Sequence, residues 1–152
     1  MAVSRKLILS MAIALAAASA MAVEPINKTL ITKLAVNGYD QVAYFTDGKS
    51  IAGSKDFEYR WMNATWRFAT TAHRAAFAKN PQEYVPQYVG YCAYGVGDKH
   101  AVGSDPEAWK IVEGKLYLNY NKKVQQMWLA DVQGFIKKVD QNWPKLISKQ
   151  WL

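Results

Sequence analysis

Aromatic side chains fall on alternate positions in one short stretch, with Phe57, Tyr59 and Trp61 on one side and Glu58 and Arg60 on the other. Alternation at a period of two marks a strand with one buried face. After Met62, Asn63 and Ala64 the pattern resumes with Trp66 and Phe68, which predicts a β-hairpin with an aromatic inner face. Residues 109–112, a Glu113-Gly114 turn and residues 115–120 predict a second. Neither hairpin is stable alone, so each needs a cover. Val124, Met127, Trp128, Val132, Phe135, Ile136, Val139 and Trp143 recur at three- and four-residue steps, which predicts one amphipathic helix, bent at Gly134 and ended by Pro144. Thr70 or Thr71 is placed to cap a shorter helix that runs to Phe77 and stops at Asn80-Pro81. Nothing divides residues 34–143, so the expected fold is α+β: a single compact domain of two aromatic-rich β-hairpins packed against helices, the C-terminal amphipathic helix among them.

Residues 1–22 read as a secretory signal peptide. Arg5 and Lys6 precede an apolar run from 7 to 18, and Ala20-Met21-Ala22 supplies small residues around a cut. The run is shorter than the roughly 20 residues of a bilayer span. The expected product is a soluble periplasmic or secreted protein that starts at Val23 and has no stable membrane anchor. The net charge of +7 raises the question of an anionic partner. The lysines are scattered, and those at 122, 123, 137, 138, 145 and 149 lie on or near the C-terminal helix, so they read as a solvated face and nucleic acid is set aside as a partner. One cysteine cannot form an internal disulfide. In an oxidising compartment it is buried, bound to something or paired between chains.

That cysteine, Cys92, lies in the run Tyr88-Val89-Gly90-Tyr91-Cys92-Ala93-Tyr94-Gly95, where the glycines permit close approach of backbone or ligand. It reads either as a small buried hydrophobe or as part of a site. Tyr39, Tyr88, Tyr91 and Tyr94 are the rings available to line a small-ligand pocket. The nucleophile elbow, the phosphate loop, the dinucleotide fingerprint and the zincin helix are all absent. Three Cys and His residues in the mature chain are too few for a structural zinc centre. A mixed copper or zinc site is expected to draw on Cys92, His100, His73 and a carboxylate such as Asp40. A thiol-dependent enzyme needs His100, eight residues on, to fold back against Cys92. Taken singly, Asp40 reads as a turn aspartate that accepts backbone amides, and His73, in the first turn of the short helix, as an exposed surface residue.

Several segments carry a resemblance: Val36-Asn37-Gly38-Tyr39-Asp40-Gln41-Val42-Ala43-Tyr44-Phe45, Thr65-Trp66-Arg67-Phe68, Tyr88-Val89-Gly90-Tyr91-Cys92-Ala93, Asp105-Pro106-Glu107-Ala108-Trp109 and Gly114-Lys115-Leu116-Tyr117-Leu118-Asn119-Tyr120. As a set they resemble the exported YHS-domain proteins of bacteria. YHS domains elsewhere accompany heavy-metal transport ATPases and some monooxygenases, so the resemblance implies a metal- or small-ligand-binding module. The metal-type modules carry a cysteine just after an Asp-Pro-Val start, where this chain has Ala43 and, in place of the proline, Gln41. The alternative expectation is a binding or interaction protein without metal, with an aromatic-lined pocket and an unknown protein or small-molecule partner.

Overall fold

The structure, a computed structural model, describes residues 26–29 and 32–147; the predicted signal peptide lies outside them. In chain order the elements are α1 (Ala43–Thr46), β1 (Ser54–Trp61), β2 (Ala64–Phe68), α2 (Thr71–Lys79), α3 (Pro81–Tyr84), α4 (Ala93–Gly97), β3 (Asp105–Val112), β4 (Lys115–Asn119), α5 (Lys122–Leu129) and α6 (Val132–Leu146). Single 3-10 turns at Val36–Gly38 and Gln87–Gly90 complete the set. It is an α+β fold, and no helix among the described residues is long and apolar enough to cross a membrane.

Both predicted hairpins form. Strands β1 and β2 pair antiparallel with Tyr59 opposite Trp66 and Trp61 opposite Ala64, and β3 and β4 with Trp109 opposite Leu118 and Ile111 opposite Leu116. Each closes through two residues of positive φ, Met62 and Asn63 in the first and Glu113 and Gly114 in the second, as the twist of a two-residue hairpin demands. Asp105, Pro106 and Glu107, which read as a turn or a capped helical start, belong instead to β3. A bulge between Asp105 and Trp109 absorbs the proline.

Strand β4 explains how two small sheets make one body. Leu116 and Leu118 enter a cluster with Ile26, Val36, Val42, Tyr44, Trp66, Phe68 and Phe77, whereas Tyr117 enters a second with Tyr88, Tyr91, Val96, Trp128 and Val139. Successive side chains of a strand point to opposite faces. Residues 116–119 are therefore all buried, because β4 separates two cores.

The predicted C-terminal helix is two helices. Asp131 accepts the N–H of Gly134 at 3.0 Å and starts α6 as its N-cap, so the break falls at 130–131 and Gly134 lies in a first turn. The apolar spacing runs through the break because Trp128 of α5 and Val139 of α6 reach the same core. Pro144 lies inside the last turn of α6 rather than ending it, and the helix goes on to Leu146.

Candidate functional site

The structure distributes the four predicted metal donors over different places. Asp40, fully buried, follows the Val36–Gly38 turn, and its Oδ1 accepts the N–H groups of Val42 at 2.9 Å and Ala43 at 3.2 Å. Its Oδ2 takes the N–H of Ala69 at 2.7 Å and faces Nδ1 of His73 at 2.7 Å. His73 is therefore no exposed surface residue. Its side chain is only 15 % exposed, pinned between the Asp40 carboxylate and the Thr46 hydroxyl, which lies 3.3 Å from Nε2. One carboxylate thus joins the turn before α1, the end of β2 and the first turn of α2. The arrangement is that of a staple.

Cys92 stands apart from this pair. It is the N-cap of α4 and is 1 % exposed, and a parallel bridge to Leu118 holds its backbone against β4. Its Sγ accepts the N–H groups of Tyr120 at 3.2 Å and Gly95 at 3.4 Å and contacts Oδ1 of Asn119 at 3.9 Å. Asn119 lies two residues beyond Tyr117 on β4, hence on the same face, and the N–H of Tyr94 fixes the orientation of its amide at 3.3 Å. Burial pushes the thiol pKa up, and the amides of Gly95, Tyr120 and Tyr94 offset part of that rise. At neutral pH the group is a thiol and not a nucleophilic thiolate.

His100 does not fold back onto the sulfur. It lies exposed on the loop after α4, tied through its backbone: its N–H donates to Gly95 O at 2.8 Å. That loop presses on Gly95 so closely that a Cβ there would stand 2.8 Å from the His100 carbonyl oxygen. Among the described residues no group of three or more His, Cys, Asp or Glu is arranged to hold a metal ion. The set of Cys92, His100, His73 and Asp40 is not assembled, because Asp40 and His73 belong to the α1–α2 corner and Cys92 to the α4–β4 seam.

What the Cys92 region does offer is a pocket. A shallow pocket of about 240 Å³, largely open to solvent, is lined by Cys92, Tyr94, Gly95, Val102, Tyr120 and Val124, and the wall atoms it exposes are apolar. It is smaller than the roughly 300–1,000 Å³ of sites for drug-sized molecules, so it suits a fragment-sized apolar group. Val102 and Tyr120 at its rim are among the few large apolar residues left exposed.

Of the four candidate tyrosines only Tyr94 lines this pocket, stacking on Phe135 with ring centroids 4.8 Å apart. Tyr88 and Tyr91 are core: both pack on Trp143, and the Tyr88 hydroxyl donates to Asp140 at 3.4 Å. Tyr39 sits at the turn before Asp40, its carbonyl taking the side-chain amide of Gln41 at 3.0 Å. Sequence reasoning missed Val102, Asn119, Tyr120 and Val124. The signals for Asn119 and Tyr120 were their place at the end of the strand predicted over residues 115–120 and in the Gly114-to-Tyr120 segment that carries the resemblance. Comparison with family models, curated proteins and solved structures finds no match to this chain.

Proposed function

We propose that the protein is an exported small-ligand-binding module of the YHS type, and that it holds a small apolar group in the pocket beside Cys92. The observation that carries the reading is the cavity between α4, β4 and α5, with apolar walls and two exposed apolar residues at its mouth. Cys92 supplies a neutral, polarisable wall there. Its hydrogen-bonding capacity is used on Gly95, Tyr120 and Asn119, so an apolar guest leaves no polar atom of the thiol without a partner. The metal alternative has less support, because among the described residues Cys92 has no imidazole or carboxylate as a bonded neighbour.

Titration of the mature protein with indole and with n-hexanol, followed by amide chemical shifts, tests this. Shifts centred on Gly95, Val102 and Tyr120 are expected, and they disappear in Val124→Trp, which fills the cavity. Shifts elsewhere, or none, would remove the reading. Elemental analysis of protein recovered from the periplasm covers the metal alternative: stoichiometric copper or zinc that is lost in Cys92→Ser would replace the apolar ligand with a metal. N-terminal sequencing of the same material checks export, with Val23 expected as the first residue.

A further inference from the structure

A second cleft, of about 480 Å³, is lined by Asn27, Asn37, Gly103, Ser104, Asp105, Pro106 and Tyr120. Its volume falls within the range of small-molecule sites, and its chemistry differs from that of the apolar pocket. Asn27 donates its Nδ2 to Gly90 O at 2.8 Å, and Ser104 donates its hydroxyl to the same oxygen at 2.7 Å. Ser104 has thus used its only donor inside the protein and Asn27 one of its two, and both keep acceptors. Asn27 Oδ1 faces the wall at Gly103, where a Cβ would stand 3.6 Å from it. Asp105 uses Oδ1 on the N–H of Glu107 at 2.9 Å, and its Oδ2 has no partner among the described residues. An acceptor-rich lining calls for a ligand rich in donors.

The backbone around the cleft is strained in a way that fixes this lining. Val36, Asn37 and Gly38 have φ of 45, 54 and 80°, and Tyr88, Val89 and Gly90 have 55, 46 and 88°. A β-branched residue at positive φ is an outlier, and each run contains one. Asn27 bridges them, its N–H donating to Val89 O and its carbonyl accepting the N–H of Val36, both at 3.1 Å. Strain of this kind persists only where surrounding structure holds it, and it clusters at ligand sites. Here it presents Asn37 at the rim, exposed, with no side-chain partner among the described residues. Tyr120, 57 % exposed, gives the cleft one flat aromatic wall.

Acceptors along one side and an open aromatic face on the other are what a sugar ring or a polyol needs, since its hydroxyls donate and its C–H face stacks. We propose that this cleft binds a small, neutral, polyhydroxylated molecule, with Asp105, Asn27 and Asn37 taking its hydroxyl protons and Tyr120 stacking on its carbon face. This site is independent of the apolar pocket, although Tyr120 borders both.

The test is titration of the mature protein with D-glucose, N-acetyl-D-glucosamine and D-mannitol up to about 50 mM, which brackets the millimolar affinity expected of so open a cleft. Amide shifts at Asn37, Gly103, Ser104 and Tyr120 are expected for at least one probe. Asn37→Gly removes one amide at a φ that glycine adopts freely, so it folds, and it should weaken binding about tenfold. Tyr120→Ala should weaken it at least as much. Val124→Trp, which fills only the other cavity, should leave it unchanged. Absence of shifts with all three probes overturns the proposal, as does binding that ignores Asn37→Gly. Equal binding of methylammonium chloride would also overturn it, by making the site one for a cation.

Discussion

Asp40→Asn is the substitution whose cost can be worked most directly from the structure. The Asp40 carboxylate accepts four bonds, two on each oxygen, from Val42, Ala43, Ala69 and His73, and it is fully buried. Asparagine keeps the shape but has one acceptor oxygen, so its NH₂ group meets either the Val42 and Ala43 amides or the Ala69 amide and the His73 ring, of which only the imidazole can become an acceptor by changing tautomer. Hydrogen bonds to a carboxylate contribute about 1.5–3 kcal/mol each, and a buried donor without a partner costs about 1–3 kcal/mol. Allowing for relaxation, the loss is about 3–5 kcal/mol, a large part of the roughly 5–15 kcal/mol of a typical domain. His73→Ala removes one of the four donors and leaves the three amides in place, so it should cost about 1–2 kcal/mol. Urea unfolding followed by tryptophan fluorescence reads both, since Trp66 and Trp128 are buried and report the folded state. A loss below about 1 kcal/mol for Asp40→Asn, or an equal loss for the two variants, would refute the staple: the amides would then not be what Asp40 holds.

Burial, with the nearby Glu107 charge second, raises the pKa of Tyr44, whose hydroxyl donates to Pro106 O at 2.8 Å, and burial does the same to Tyr88 beside Asp140. The folded chain keeps these phenol protons where the unfolded chain releases them. The stability they contribute is present below about pH 10 and is lost as pH rises above it. Denaturation midpoints from pH 8 to 11 should fall at the alkaline end, and Tyr44→Phe should flatten the fall while costing about 1 kcal/mol at neutral pH. Cys92 should react slowly with a maleimide in the native state at pH 7 and at the rate of a free thiol in urea, because it is buried and its pKa is raised; equal rates would refute its burial. Glu113, at φ 50° in the second hairpin turn, occupies a position that favours asparagine, so Glu113→Asn should raise stability by about 0.5–1 kcal/mol in the same urea assay.

Local patterns were legible where they report a local cause. The alternation of Phe57, Tyr59 and Trp61 survives as half-buried against exposed along β1, and Thr70 caps α2 by accepting the N–H of His73, because each needs only neighbours within a few residues. The split of the C-terminal helix was hidden for a related reason: periodicity reports which face is buried, and both helices bury theirs in one core, so the pattern crosses a break made by a single Asp131 bond. The sites depend on pairings of another kind. Asp40 meets His73 across 33 positions, Cys92 meets the Tyr120 amide across 28, and Asn27 meets Gly90 across 63. No period encodes such distances. They follow from β4 lying between two cores, which brings the α4 seam against the strand end, and from the two left-handed runs that Asn27 joins. Val36 and Val89 make this plain, since valine resists positive φ and nothing local selects it there. Long-range bonds hold them: Ala35 N–H to Thr65 O at 2.9 Å, Val36 N–H to Asn27 O and Asn27 N–H to Val89 O. The polar cleft is therefore a product of the assembled fold. Its lining should lose protection from hydrogen exchange together with the core: if Asn27 and Val36 exchange freely while Leu116 and Leu118 remain protected, the strained runs are not held by the body of the protein, and the cleft they shape is not preformed.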